Sequence, residues 1–297
     1  MSSRMPLRLI LGLPRAVLRL LGSKNIGSQY LRALAVAFGS LLLLNARSLP
    51  LIWHIRMFRH LIKWHVLRIL APNKEHYLEQ VSPVAQDPFQ SQVSHCYWAT
   101  PDDCDFLGHL SNSAYAKNLD IARMKVLVHH LHPFMLAGGF LPMAGADYAY
   151  ISEIPMFAHY EVIAKTASWD DKWIYLYSEF ITRPKQTKGG KPIRGLRPDG
   201  TKVHCVAISR YVFKLGRITV PPRVALSICG FGADRRNWDE AVVMRKKGTL
   251  KEFLKGGWKD AKGLDLPEFE ERRLAGLEWC QKLNEGMGQA ATHEWLS

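Results

Sequence analysis

Between Gln92 and Leu215 one strand-like run is followed by one long helical pattern and then by four more strand-like runs. That order points to an α+β layer, one helix lying on a curved antiparallel sheet. Gln92–Ala99 alternates as a half-buried strand does. Tyr115, Leu119, Ala122, Val126 and His130 keep helical spacing, so a helix is expected over about Ala114–His130, with Asn112 or Ser113 as its N-cap. Gly138 and Gly139 break the pattern. Ala144–Ser152, Ala158–Ser168, Trp173–Arg183 and Val203–Leu215 then read as an antiparallel meander, with Trp169-Asp-Asp-Lys-Trp173 as a tight hairpin. Pro184–Lys202 holds four Gly, three Pro and six basic residues against one Asp, and reads as a long solvated loop exposing Lys185, Lys188, Lys191, Arg194 and Arg197. Around this body, 92–222, the chain divides into an N-terminal region 1–74, a Pro-rich linker 75–91 and a C-terminal tail 223–297 with a charged helix near Pro267–Glu285.

The charge is concentrated in the first quarter. Residues 1–74 carry twelve Lys/Arg and no acid, whereas the other 223 residues carry 28 basic and 26 acidic groups. A nearly neutral body argues against nucleic-acid binding, which calls for a basic face on the folded domain. A basic arm beside an apolar segment points instead to membrane lipids through residues 1–70. Ala33–Ala46 runs fourteen residues without a charge, and reading through Arg47 gives Tyr30–Trp53 as a candidate transmembrane helix. An anchor lying in the interface, a mitochondrial presequence over residues 1–24, and a helix packed on the body are the other readings. From His54 to Leu70 apolar residues recur at helical spacing with basic residues between them, a pattern suited to an anionic lipid surface or to covering the domain's own core. The expected location is an intracellular membrane, endoplasmic reticulum or mitochondrion. Five widely spaced Cys with no C-x-x-C pair read as scattered core thiols in a reducing compartment.

The chemistry-bearing residues crowd into Thr100–Asn112. Asp103, Asp105 and His109 precede a helix N-terminus, where acids also serve simply as caps and dipole partners. A metal reading lacks a distal ligand, and His129, His130 and His132 at a helix end more readily meet its carbonyls. No metal and no cofactor is expected.

The composite Asp103-Cys-Asp-Phe-Leu-Gly-His-Leu-Ser-Asn-Ser-Ala-Tyr115, followed by Ile121-Ala-Arg123, resembles the opening of the hotdog-fold thioesterases of the 4-hydroxybenzoyl-CoA thioesterase type. Tyr160-Glu-Val, Trp169-Asp-Asp-Lys-Trp and Tyr175-Leu-Tyr resemble that family's second half, and the likeness covers about Gln92–Pro221. With the basic, apolar leader in front, the chain is most similar to membrane-anchored thioesterase-like proteins of eukaryotes. The resemblance implies a hotdog fold, a homodimer with the site between protomers, and hydrolysis of an acyl-CoA or acyl-carrier thioester. It implies Asp105 as the carboxylate that attacks the thioester carbonyl or activates water. Gly108 would admit the ligand close to the backbone, His109 and Asn112 would position it, Tyr115 would line the acyl path, and Asp103 would shape the loop. A hotdog that holds acyl chains without turning them over is the alternative. Hydration or dehydration would need an Asp and a His at a spacing other than the four residues between Asp105 and His109.

Overall fold

A computed structural model of the chain describes residues 26–183, 196–259 and 263–292. The first two helices among the described residues, α1 (Ile26–Leu44) and α2 (Ile52–Leu70), replace the single Tyr30–Trp53 helix expected from hydropathy. The Asn45 side chain donates to the Leu41 carbonyl at 2.9 Å, Pro50 lies in the connection, and Leu51 turns through φ +67°. Among the described residues no helix is long and apolar enough to cross a membrane. Residues 1–24, where a presequence was expected, lie outside the described residues.

The expected linker contains a helix, α3 (Lys74–Val81), because Asn73 caps it by accepting the N–H groups of Glu75 and His76 at 3.1 Å. Leu78 buries its inner face, and Glu79 and Glu75 pair with Arg235 and Arg245.

The body follows the expected order: β1 (Gln92–Trp98), α4 (Asn112–His130), the short α5 (His132–Leu136), β2 (Met143–Tyr150), β3 (His159–Trp169), β4 (Trp173–Thr182), β5 (Lys202–Leu215) and β6 (Ile218–Val220). Helix α4 begins two residues earlier than expected, because Ser111, and not Asn112 or Ser113, is the N-cap: its Oγ accepts the Ala114 N–H at 3.3 Å. It buries Tyr115, Leu119, Ala122, Val126 and His130, the set its spacing selected. Asp170 closes the β3–β4 hairpin by accepting the N–H groups of Lys172 and Trp173 at 2.7 and 2.6 Å. The sheet order is β1-β3-β4-β5-β2 with every neighbour antiparallel and the short β6 paired with β5, so of the four strands expected as a meander only β3, β4 and β5 are consecutive neighbours. Strand β2 pairs with β5 at the far edge, because residues 151–158 carry the chain across to β1 before β3 begins. Register shifts at Met143/Gly145, Thr166/Ser168 and Phe180/Ile181 bend the strands around α4. One long helix wrapped by a five-strand antiparallel sheet in this order is the hotdog arrangement.

Beyond the sheet lie α6 (Pro222–Ile228), α7 (Arg236–Lys247), α8 (Leu250–Leu254) and α9 (Glu270–Thr292). Pro222 starts α6 instead of ending the body, as Pro at a first helical position can. Val224, Phe231, Ala241, Leu254 and Phe269 share a core with Phe134, Trp169, Ile174 and Phe213, so these helices complete the domain. Of the five thiols Cys205, Cys229 and Cys280 are buried, but Cys96 is exposed and Cys104 half-buried.

Helix α2 lies on α4. Its Trp64 is buried with Met124 and Val128 of α4 and Trp238 of α7, and it stacks on His132 at 3.5 Å. Burial and the neighbouring His129 hold His130 down to about 4, and burial, His129 and Arg68 hold His132 down to about 3. Both imidazoles are therefore neutral in the fold at pH 5, where the unfolded chain takes up the proton. Their contribution is complete above the ordinary His value near 6.5 and is lost as pH falls through that window. Moving from pH 7 to 5 is expected to remove on the order of 2 kcal/mol per histidine. Urea midpoints at the two pH values measure the loss, and His132→Phe should flatten the acid limb. An unchanged limb in that variant would contradict the assignment.

Candidate active site

Asp103 closes a 3-10 turn over Pro101–Asp103, and its carboxylate is fully buried. Oδ1 lies 2.5 Å from Lys117 Nζ, and Oδ2 accepts from Asn118 Nδ2 at 3.3 Å with the Arg47 guanidinium at 3.5 Å. Asn118, fully buried on α4, also donates to the Tyr160 hydroxyl at 2.9 Å and accepts from Arg56 at 2.9 Å. Tyr97 donates to the Asn118 carbonyl at 2.6 Å. Arg47 further donates its N–H to Asp102 and its guanidinium to the Trp98 carbonyl. The connection between α1 and α2, the helix α4 and strands β1 and β3 therefore meet at one buried carboxylate. The Asp103 carbonyl also accepts the N–H of Ser111, the cap of α4, at 3.0 Å.

Two residues on, Asp105 folds a tight turn around itself. Its carbonyl accepts the Gly108 N–H at 3.1 Å and its N–H donates to the His109 carbonyl at 2.9 Å. Its Oδ1 accepts the N–H groups of Leu107 at 2.9 Å and His109 at 3.4 Å. Gly108 sits at φ +78° with open space where a Cβ would stand, so the turn itself demands glycine and leaves the approach clear. Phe106 and Leu107 at the tip are exposed.

Asp105, His109, Asn112 and Tyr115 line one open cleft of about 560 Å³ at the first turn of α4, together with Tyr150, Ser152, Glu153 and Lys202. His109 Nε2 is 3.3 Å from a Glu153 carboxylate oxygen. Tyr115 is buried edge-on against Tyr150 and Phe180, with ring centroids 5.3 and 4.8 Å away, and burial pushes its phenol up. Tyr150 donates to the Asn112 carbonyl at 3.4 Å, which ties the β2 edge to the start of α4. A smaller apolar cavity of about 200 Å³ lies further along α4, between Met124, Leu127 and the sheet residues Ile174, Leu176 and Tyr211. It shares no lining residue with the cleft.

Sequence reasoning did not reach Arg47, Arg56, Lys117, Asn118, Tyr150, Glu153 or Lys202. Asn118 alone carried a signal, a polar residue on the buried stripe one turn after Tyr115. Of the long basic loop, 184–195 lies outside the described residues. Arg197, expected to be exposed, keeps a 40% exposed side chain and makes a two-pronged pair with Glu179 at 3.1 and 2.7 Å. Among the described residues no three His, Cys, Asp or Glu side chains gather as metal ligands; His130 meets Ser91 and His132 stacks on Trp64.

Residues 99–221 match the thioesterase-like superfamily. The chain is 29% identical to a probable thioesterase of Saccharomyces cerevisiae over 217 residues, 72% of this chain and 85% of the yeast protein. It is also 29% identical to a probable thioesterase of Emericella nidulans over 277 residues, 82% of each chain. Residues 99–221, most of the body of the fold, are thus similar to the thioesterase-like superfamily. Among solved structures, a 1,4-dihydroxy-2-naphthoyl-CoA thioesterase from Synechocystis aligns over 96% of its length and 47% of this chain, with 12% identity and a TM-score of 0.36.

Proposed function

We propose that this protein hydrolyses acyl thioesters, on CoA or an acyl carrier, at a membrane surface, with Asp105 as nucleophile or general base. The observation that carries the reading is the meeting of Asp105, His109, Asn112 and Tyr115 on one open cleft at a helix N-terminus. Asp105 uses Oδ1 to hold its turn, and Oδ2 has no protein partner among the described residues. That oxygen is available to attack the thioester carbonyl or to take a proton from water. The first N–H groups of α4 supply donors for the oxyanion that develops. His109, steadied by Glu153, and Asn112 orient the thioester, while Tyr115 forms an apolar wall. Water completes the reaction, which releases a carboxylic acid and a thiol and draws on no cofactor.

Relatives described as thioesterases support the activity. A homodimer is supported by the edge position of β2 and by the exposed Phe106, Leu107 and Phe157. Lipid contact through the N-terminal region is supported by exposed Leu34, Phe38, Leu41 and Leu43 on α1 and by the exposed stripe Ile55, Ile62, Val66 and Ile69 on α2. These helices would lie in the interface of an intracellular membrane.

Hydrolysis of acyl-CoAs from acetyl to palmitoyl by the full-length chain tests the activity. Turnover of at least one is expected, and binding of an acyl-CoA with no thiol released would make the protein an acyl-binding hotdog instead. For the membrane, retention through a carbonate wash is expected, and release by high salt alone would reduce the attachment to electrostatics.

A further inference from the structure

Six basic side chains from three elements meet along the seam between α2, β1 and α4: Arg59, His60 and Lys63, then His95, then Lys125 and His129. The Arg59 guanidinium lies 3.1 Å from His95 Nε2 and donates through Nε to His60 at 3.3 Å. The His60 and His95 rings meet edge-on at 5.5 Å, and Lys125 Nζ donates to the Ser94 carbonyl at 2.7 Å. Burial and these neighbouring cations pull His60 down to about 4 and His95 down to about 3, and lower His129 as well. The side chains that shift these three histidines electrostatically are all basic: Arg56, Arg59, Lys63, Lys125 and the neighbouring histidines. The carboxylate of Glu161 on β3 is engaged by Ser94 and Arg183 on the opposite face of the sheet, since adjacent residues of a strand point to opposite sides. With the histidines held neutral, Arg59, Lys63 and Lys125 are the like charges of the seam; they repel one another, and an anion relieves that repulsion.

The seam borders an apolar stripe. On α2 the exposed Ile55, Ile62 and Val66 share a face at helical spacing, and Arg59 and Lys63 flank it on the side facing α4 and β1. The geometry points to a binding site for the phosphate of an anionic phospholipid at this seam, with the stripe of α2 in the acyl layer. The site rests on the membrane reading above and adds to it a headgroup class and its ligands. A free phosphate would have no use for the stripe. The chain's own first 25 residues bring Arg4, Arg8, Arg15, Arg19 and Lys24 and no acid, and a second copy of α2 would bring the same cations, so neither neutralises the seam.

Flotation of the full-length chain with phosphatidylcholine vesicles, and with the same vesicles containing phosphatidylserine, tests the site. Tighter binding to the anionic vesicles is expected, with Arg59→Gln and Lys63→Gln each removing about fivefold of that preference. Lys172→Gln and Arg217→Gln, in the β3–β4 and β5–β6 turns, remove the same charge elsewhere and should leave the preference intact. Ile62→Ser with Val66→Ser should weaken binding to both vesicles. Equal loss in the turn variants would reduce the effect to net charge and overturn the site. Equal binding to the two vesicles would also overturn it, while the Ile62 variant still reports on the membrane reading. Thermal stabilisation by inorganic phosphate that Arg59→Gln abolishes, with no vesicle binding, would assign the seam to a soluble anion and overturn the lipid. Absence of both vesicle and phosphate binding would remove the site and the membrane reading together.

Discussion

A chain that begins at Lys74 is expected to lose most of its cooperative stability, although it keeps every strand of the sheet. Helix α2 covers Met124 and Val128 of α4 with Trp64, Met57 and Leu61. Truncating a buried Trp costs about 3–5 kcal/mol, against about 5–15 kcal/mol for a whole domain. The same truncation removes Arg47 and Arg56. Asp103 then keeps one cation, Lys117, beside the neutral donors Asn118 and Thr100, and a buried carboxylate that loses a cation is a strong source of instability. Denaturant midpoints for the full chain, for residues 74–297 and for Trp64→Ala separate the contributions. Trp64→Ala should cost about 3 kcal/mol, and the truncated chain should unfold earlier still or fail to remain soluble. An unchanged midpoint for residues 74–297 would make the N-terminal helices an appendage.

The elements that could be read from sequence were those whose signal is local. The β3–β4 hairpin is written in Asp170, which supplies its own turn bonds, and α4 in a buried stripe that repeats every three or four residues. The turn around Asp105 and Gly108 is local as well, since the residues that shape it lie within five positions, but from the sequence Gly108 was expected only to admit the ligand close to the backbone. Strand order was not legible, since β2 looks the same whether it pairs with β3 or crosses to β5. The cations that hold Asp103 were hidden more deeply. Arg47 and Arg56 sit in a segment whose composition speaks of lipid, and nothing in local polarity distinguishes an arginine in solvent from one bound to a carboxylate 56 positions away. The tail was misjudged at Pro221-Pro222, where a residue pair that often ends an element here begins one.

Two carboxylates lie two positions apart on this loop, and the proposed chemistry belongs to one of them. Asp103 is sealed under the loop and Asp105 faces the cleft, so their variants should fail differently. The most direct measurement is kcat for Asp105→Asn and Asp103→Asn in the full-length chain, with acyl-CoA binding followed by calorimetry and stability by urea. Asparagine at 105 keeps an Oδ1 that can accept the Leu107 and His109 N–H groups, so the turn should survive with binding intact. Its kcat should fall by at least about 10²-fold, the lower end for loss of a general base. Asparagine at 103 leaves Lys117 and Arg47 without their anion and should cost about 3 kcal/mol, while kcat of the folded fraction stays within about tenfold, a loss of geometry alone. A dead Asp103→Asn beside an active Asp105→Asn would place the chemistry on the other carboxylate, and full activity in both would remove it from this loop.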